Sequence, residues 1–225
     1  MRRASFDERL SQALSLRRQL YASSLYATAK DLLGYRDINW PTHGGTIRTL
    51  QAPTPRKLIV MPRGSLKSTL CSVSFPIWRI LREPDLRVLL DGELYSNSKN
   101  FLREIRLQLE RPELIELYGE FESNCWNEGE IIIRQRKKVA KEATITASGI
   151  GAEKTGQHYD LIIADDLNGP SNSATKEGRE KVIQHWRFNN SILEPGGTMV
   201  LVGTRYSSDD CIGHVARDEI GMEME

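Results

Sequence analysis

The sequence lacks paired cysteines, long apolar runs and an excess of charge of either sign. Its three cysteines (Cys71, Cys125 and Cys211) are odd in number and far apart, which argues against a disulfide framework or a zinc knuckle and predicts a reducing cytoplasm. No run approaches the ~20 apolar residues of a membrane span, and the amino terminus lacks the apolar core of a secretory signal. With 31 basic and 30 acidic residues, the net charge of +1 disfavours a chain dominated by a field that attracts nucleic acid or membrane, but allows a local basic patch.

A length of 225 residues, at about 150 per domain, allows one large α/β domain, or one domain with a helical appendage, and disfavours two full domains. Residues 5–33 carry apolar side chains at helical spacing and are net basic, so we expect one or two amphipathic helices there. Residues 39–56 are rich in proline and glycine and predict a loop. We therefore divide the chain into a helical segment packed on the core (residues 1–40) and the core itself (residues 41–225).

From residue 57 onward, short apolar runs typical of strands alternate with helical stretches. Strands are predicted over residues 57–61, 86–91, 131–134, 143–147, 160–164 and 199–203, and helices over 67–81, 96–110, 175–192 and 209–219. This alternation predicts an α/β fold with a mostly parallel sheet and helices on both faces. Ligands of such sheets bind at the carboxyl ends of the strands.

The turn after the first core strand has the residue types of a phosphate-binding loop. A phosphate site needs free backbone N–H groups at a helix start, a lysine for the β/γ-phosphates and a hydroxyl for Mg²⁺. The segment that supplies them consists of Pro62, Arg63, Gly64, Ser65, Leu66, Lys67, Ser68 and Thr69. Its fit to GxxxxGK[ST] is poor, because methionine and leucine occupy the two glycine positions. The alternative is an ordinary strand–turn–helix with a solvated lysine.

Two acids, Asp165 and Asp166, follow the apolar run at residues 161–164. Two carboxylates this close together near a phosphate are costly without a cation, so the pair makes sense around Mg²⁺. The alternative is a pair of exposed acids in a turn. The last apolar run, at residues 198–203, ends in Thr204, which is placed to sense a γ-phosphate or simply to satisfy a local turn. Together the segments favour an NTPase.

These three segments together resemble the ATPase domain of the large terminase subunit, the motor that packages DNA into phage procapsids. The resemblance rests on residues 62–69, 159–166 and 202–206 and covers about residues 40–215. It implies a P-loop NTPase fold of the RecA-like (ASCE) class. Terminase loops often carry an arginine four residues before the lysine, and Arg63 stands there.

The resemblance also implies a role for each matching residue. Lys67 would bind the β/γ-phosphates, Ser68 would ligate Mg²⁺ and Arg63 would switch between loop and γ-phosphate. Asp165 would be the Walker B acid and Asp166 the catalytic base, with Glu93 as the other candidate for the base. Thr204 would couple hydrolysis to DNA movement. His43 would pack near the adenine, and Lys154 would be the first candidate for a finger acting in a neighbouring subunit, ahead of Arg179 and Arg187.

Basic residues cluster in one stretch of the sequence, at residues 134–141. We expect DNA phosphates to contact Arg134, Arg136, Lys137 and Lys138. The alternative is a solvated hairpin tip between two strands.

The predicted function is thus a Mg²⁺-dependent ATPase that moves double-stranded DNA into a procapsid. Implied partners are ATP, DNA, the portal protein, the small terminase subunit and further copies of the chain in a ring, with a monomer as the alternative in isolation. The setting would be the host cytoplasm, without a membrane. We expect no nuclease domain within these 225 residues. The alternatives are a non-hydrolysing nucleotide- or DNA-binding module with a degenerate P-loop, a helicase, which needs a second lobe, and a small-molecule kinase.

Overall fold

The computed structural model describes residues 6–152, 154–218 and 223–224. The amino-terminal segment is helical, as predicted: α1 (Phe6–Ser23) and α2 (Leu25–Ala27) lead into a π-helical stretch, Thr28–Leu32. Ser24 caps the second helix by accepting a hydrogen bond from the N–H of Ala27. Trp78 of the core donates its indole N–H to the carbonyl of Tyr21 at 3.1 Å, so this segment packs directly on the core.

The prediction of a loop at residues 39–56 is wrong, because most of this segment forms helix α3 (Trp40–Gln51). Asn39 caps this helix by accepting from the N–H of Thr42 at 3.0 Å, and Pro41 lies in the first turn, where no N–H is needed. Gly44 lies against the ring of Trp40, where an added Cβ would come within 3.0 Å. The proline therefore helps to start the helix, and the glycine allows the helix backbone to lie close to the Trp40 ring. Helix α3 crosses the boundary predicted at residue 40, which remains a prediction.

The core alternates strands with helices along the chain. Its described elements are β1 (Arg56–Val60), a π-helical stretch (Thr69–Ser74) that runs into α4 (Phe75–Arg82), β2 (Val88–Gly92), α5 (Tyr95–Leu109), α6 (Pro112–Tyr118), β3 (Glu130–Ile131), β4 (Ile145–Gly149), β5 (Tyr159–Asp165), α7 (Pro170–Ser173), α8 (Lys176–Ser191), β6 (Leu193–Gly203), α9 (Cys211–Asp218) and β7 (Glu223–Met224). The predicted strands and helices are present with shifted ends, whereas α6, α7 and β7 were not predicted.

The seven described strands form one sheet in the order β3-β4-β2-β5-β6-β1-β7. All neighbours pair in parallel except β3, which is antiparallel to β4. Within each central strand, alternate side chains enter two different hydrophobic clusters, one on each face of the sheet. Ile59 and Ile163 join the cluster under α1–α6, whereas Leu58 and Ile162 join the cluster under α8 and α9. A sheet covered on both faces explains why its strands read as continuous apolar runs.

Strand β6 pairs with β5 on one side and with β1 on the other. Because all three are parallel, their carboxyl ends meet at one edge of the sheet. The residues that follow them are the loop at 61–66, Asp166 and Thr204. The sheet order therefore gathers three segments that are distant in sequence. In the described residues no helix is long and apolar enough to span a bilayer.

Candidate functional site

The loop after β1 contains two residues whose backbone lies in the left-handed region that favours glycine. Gly64 has a φ of 79° and Leu66 a φ of 57°, so both lie in the left-handed region. Leucine at such a φ costs about 1–2 kcal/mol, whereas glycine adopts it freely. Leu66 thus occupies the conformation of the glycine whose place it takes, and its side chain packs on the core as compensation. The departure from the GxxxxGK[ST] pattern thus places a leucine where the observed φ favours glycine.

Lys67 begins the helix that follows the loop and is almost buried, with 7% of its surface exposed. Its Nζ lies 3.3 Å from Oδ2 of Asp166, the first residue after β5. Asp166 also has a left-handed backbone (φ 46°), and its N–H donates to the carbonyl of Val202 on β6 at 2.9 Å. The turn after β5 is therefore bent and hydrogen-bonded so that Asp166 faces the lysine of the loop after β1.

Asp165 ends β5 and is buried, at 4% exposure. Its Oδ2 accepts a hydrogen bond of 2.5 Å from the hydroxyl of Ser72, which lies on the same helix as Lys67. The pKa of Asp165 is raised to about 6, mainly by burial and also by the neighbouring charge of Asp166, against the lowering effects of the hydroxyls of Ser72 and Ser68 and the charge of Lys67. This carboxylate is thus held out of water with incomplete compensation.

The Oδ1 atom of Asp165 is buried and has no hydrogen-bond partner in the part of the chain that the structure describes. An unpartnered buried carboxylate oxygen beside the hydroxyl of Ser68 fits a divalent cation that keeps oxygen ligands. Among the residues described, no group of three or more His, Cys, Asp or Glu side chains is placed to hold a metal ion. The fit of Mg²⁺ therefore rests on Asp165 and Ser68, with further ligands left to water or phosphate oxygens.

Thr204 follows β6 and connects the strand ends. Its hydroxyl donates to the carbonyl of Met61, the first loop residue after β1, at 3.2 Å, and the N–H of Met61 donates to the carbonyl of Gly203 at 3.2 Å. The candidate coupling residue is thus bonded to the base of the phosphate loop. This contact satisfies a local hydroxyl and links the two segments at the same time.

Two further side chains hold the loop from outside. The guanidinium of Arg63 donates to the hydroxyl of Tyr206 and lies 5.7 Å from the centre of its ring. His43, on α3, is buried; its Nε2 lies 3.0 Å from the carbonyl of Ser65, and its Nδ1 accepts from the N–H of Asn39 at 3.1 Å. A proton on Nε2 satisfies both contacts, so His43 fastens the phosphate loop to α3.

Glu93, the second candidate for the base, follows β2 at the same edge of the sheet. Its Oε1 accepts a hydrogen bond of 2.5 Å from the hydroxyl of Ser171. Asp166, by contrast, is in direct contact with Lys67. The geometry therefore favours Asp166 for a role beside the phosphates.

The prediction that Lys154 reaches into a neighbouring subunit does not fit the structure. Lys154 is 3% exposed, and its Nζ lies 3.1 Å from Oδ1 of Asp91 and 3.2 Å from Oδ1 of Asn189. The other oxygen of Asp91 contacts Nε2 of His185 and Nδ2 of Asn189, both at 2.6 Å. A finger needs a free, exposed cation, whereas Lys154 is committed to a buried charge cluster that ties the loop after β4 to β2 and α8.

Half of the predicted DNA patch is also committed within the chain. Arg134 pairs with Glu120 at 2.9 Å, and Arg136 donates to the carbonyls of Lys138 and Glu142. The side chains of Lys137 and Lys138 are exposed, while their backbone N–H groups donate to Asp85. The segment connects β3 to the amino end of β4, so it lies at the edge of the sheet opposite Lys67. The Nε and Nη1 groups of both arginines are therefore already bonded within the chain, whereas Nη2 of Arg136 is buried without a partner among the described residues.

Sequence reasoning missed several residues of the site. Ser72 was hidden because a serine in an apolar helix carries no signal of its own, although its spacing of four residues from Ser68 places both on one face. Tyr206 and the partners of Asp91 were hidden because their contacts join distant parts of the chain.

The fold and this edge were compared with known proteins. No protein-family model matches the sequence. The structure is similar to S. cerevisiae Dbp5, solved in a complex that contains ADP, with a TM-score of 0.55 at 11% identity over 89% of this chain and 51% of that chain. It is also similar to the HK97 bacteriophage large terminase, with a TM-score of 0.60 at 8% identity over 91% of this chain and 43% of that chain. These matches confirm the predicted α/β fold, which the chain shares with both proteins.

The sequence itself matches the large terminase subunit of Enterobacteria phage T3, with 26% identity over 159 residues. This match covers 66% of this chain and 26% of that protein, so the chain spans about a quarter of the length of this curated relative. With the HK97 structure, it confirms the resemblance to the ATPase domain of a large terminase subunit.

The desolvated carboxylate of Asp165 leads to a prediction about stability. At pH 8 it is ionised in both states, and because its folded pKa of about 6 exceeds the usual 3.8, its charge costs the folded state roughly 3 kcal/mol. We expect Asp165→Asn to raise the free energy of unfolding by about 1–3 kcal/mol in metal-free buffer at pH 8. The gain should shrink as pH falls from 6 to 4, where the wild-type carboxyl is protonated in the folded state.

Urea denaturation of the wild type and of Asp165→Asn at pH 8 and at pH 4 measures this effect on the free energy of unfolding. Asp209→Asn, at an exposed acid 3.9 Å from Arg217, is the matched control and should change stability by less than about 0.5 kcal/mol. A loss of stability in Asp165→Asn at pH 8 would show that the charge is well compensated and would contradict this account.

Proposed function

We propose that this chain is the ATP-hydrolysing motor domain of a viral DNA-packaging terminase, which couples ATP hydrolysis to translocation of double-stranded DNA into a procapsid. The observation that carries the proposal is the contact between the buried Lys67 and Asp166, beside Asp165, where the loop after β1 meets the end of β5. A cation and two carboxylates converge where free N–H groups begin a helix, which is the arrangement that binds and cleaves a phosphoanhydride.

Binding of ATP would use the loop from Pro62 to Thr69. The backbone N–H groups at the start of the helix face the phosphates, and Lys67 exchanges its contact with Asp166 for the β/γ-phosphates. Arg63 is exposed, and its side-chain contact within the described residues is with Tyr206, so it is able to turn toward the γ-phosphate. His43 holds Ser65, and through it the loop, in place.

Asp165 and Ser68 are the residues that would hold Mg²⁺. When bound, the cation neutralises charge on the phosphate oxygens. The unpartnered Oδ1 of Asp165 supports this assignment, because a ligand there would remove the cost of leaving it buried and unbonded.

Asp166 would act as the base. Once Lys67 has moved to the phosphates, the carboxylate of Asp166 is released to accept the proton of the attacking water. Its side chain is 46% exposed, so water reaches it. Thr204 would then report the state of the phosphate site, because its hydroxyl bonds to Met61 at the base of the loop.

The remaining partners follow from the terminase similarity. We propose that the domain works as a ring of copies docked on a portal protein, together with a small terminase subunit, in the host cytoplasm. A cation that reaches the ATP site of a neighbouring subunit must then come from another residue. Lys154 is not available for this role, because it is buried in contact with Asp91 and Asn189.

The alternative of a degenerate, non-hydrolysing module rested on Leu66. The φ of 57° at Leu66 weakens that alternative, because the loop keeps the shape that glycine would give.

Mg²⁺-dependent release of phosphate from ATP by the purified chain tests the proposal, with DNA added in a parallel series. Lys67→Ala should lower the rate by at least about 100-fold, because it removes the cation that stabilises charge on the transferred phosphoryl group. Asp166→Asn should lower kcat by a similar factor with little change in ATP affinity, and Asp166→Glu should retain activity. Lys176→Ala, at an exposed lysine paired with Glu180, is the control and should leave the rate unchanged.

Binding of ATP without turnover would favour the non-hydrolysing module. Turnover that Lys67→Ala leaves intact would contradict the proposed site.

The strained backbone at Leu66 gives a second prediction. Valine is β-branched and tolerates a positive φ less well than leucine, so Leu66→Val should weaken binding of an ATP analogue by about tenfold, equivalent to about 1.4 kcal/mol. Leu66→Gly should bind at least as well as the wild type, because glycine removes the strain. Fluorescent-nucleotide titration measures both, with Leu81→Val on α4 as the control that leaves affinity unchanged. Equal affinities for Leu66→Val and Leu66→Gly would mean that this φ does not matter for the nucleotide.

A further inference from the structure

A groove of about 370 Å³ lies along helix α5, away from the phosphate loop. Helix α5 packs on β2 and β4, on the side of the sheet that ends in β3. The groove is lined by Tyr95, Lys99, Asn100, Arg103, Arg106 and Glu128, among others. Three cations and one acid give these lining residues a net charge of +2, although the whole chain carries only +1.

The cations of the groove are less committed than those at residues 134–138. Arg103 is exposed and makes no hydrogen bond or ion pair in the part of the chain that the structure describes. Arg106 lies 5.7 Å from the centre of the Trp126 ring, and its Nε is buried without a partner. Lys99 pairs with Glu128, which holds it at the rim. The exposed guanidinium of Arg103 thus retains donors for an external anion.

The spacing of these cations matches that of a nucleic-acid backbone. Lys99, Arg103 and Arg106 follow one another at intervals of four and three residues, so they share a helix face and span about 10 Å at 1.5 Å per residue. One strand of duplex DNA carries a phosphate about every 3.4 Å along the axis, so about four phosphates cover a similar length. A row of cations on a straight helix is therefore suited to a row of phosphates.

The aromatic side chains beside the groove, of which Tyr95 is 49% exposed, are already in contact with cations. One neighbour of Trp126 is the guanidinium of Arg106, and its indole N–H donates to Glu110 at 2.8 Å. Tyr95 has the ammonium of Lys99 5.6 Å from its ring centre, and its hydroxyl lies against Gly129. Single-stranded nucleic acid is bound largely by stacking of bases on exposed aromatics, whereas duplex DNA is gripped through its phosphates. The groove thus favours a duplex.

We propose that the α5 groove binds the phosphate backbone of duplex DNA through Lys99, Arg103 and Arg106, and that Glu128 weakens this contact by competing for Lys99. The inference rests on the proposed motor function for its choice of partner. It moves the DNA surface from the segment at 134–138 to α5. Only the amino end of α5 lies at the same edge as Asp165, because the helix starts three residues after β2 ends.

Fluorescence anisotropy of a labelled 30-base-pair duplex, titrated with the chain at several salt concentrations without nucleotide or Mg²⁺, tests the proposal. Arg103→Ala should weaken binding by about fivefold and reduce the slope of log affinity against log salt by about 0.9, the value expected for one lost phosphate contact. Arg103→Lys should restore most of the slope. Glu128→Gln should tighten binding about threefold, because it frees Lys99 for a phosphate.

The control is the double variant Lys137→Ala/Lys138→Ala, which removes two exposed cations at the opposite edge and should leave affinity and slope unchanged. Thermal melting checks that each variant folds, as expected for exposed positions.

Unchanged affinity and slope in Arg103→Ala, weaker binding in Glu128→Gln, or loss of binding only in the double variant would each overturn the proposal. Displacement of the duplex by inorganic phosphate at equal charge concentration would also overturn it, because the groove would then be a site for single phosphates. Lys67→Ala separates this inference from the proposed function: it should bind duplex as the wild type does, whatever its effect on ATP.

Discussion

The site depends on one electrostatic arrangement, a nearly buried lysine between the loop after β1 and two carboxylates at the end of β5. Lys67 is satisfied by Asp166 at 3.3 Å, while Asp165 is deeper, is bonded to Ser72 and keeps one oxygen without a partner. Such a cluster is incompletely compensated in the folded chain. Phosphate and a divalent cation would supply the missing partners. The uncompensated charge that destabilises the cluster is therefore also the feature that would bind the nucleotide and its cation.

Much of this arrangement could be predicted from the sequence, because it depends on local pattern. The apolar runs before Lys67, Asp165 and Thr204 indicate buried parallel strands, and parallel strands bring their carboxyl ends to one edge. The terminase resemblance, drawn from the residues at those ends, agrees with the structural and sequence comparisons. Strand β6 lies between β5 and β1, and its register with both places Thr204 against Met61.

The rest could not be predicted, because it depends on contacts between residues distant in sequence or on backbone angles. Leu66 looks like a defect in a glycine-rich loop until its φ is known. Lys154 looks like a free cation in a glycine-rich segment, but it meets Asp91 and Asn189, which are 63 and 35 residues away. The cations at 134–138 form the densest basic run, yet Arg134 and Arg136 are bonded within the chain, whereas the sparser Lys99, Arg103 and Arg106 gather on one face of a helix.

The central claim is that Lys67, Asp165 and Asp166 form a nucleotide site shaped by strand ends. Calorimetric titration of the chain with a non-hydrolysable ATP analogue, with and without Mg²⁺, tests it most directly. The account predicts one site per chain, binding that strengthens when Mg²⁺ is present, and loss of that Mg²⁺ effect in Asp165→Asn. Absence of heat at high protein concentration, or binding that neither Mg²⁺ nor Asp165→Asn alters, would contradict it.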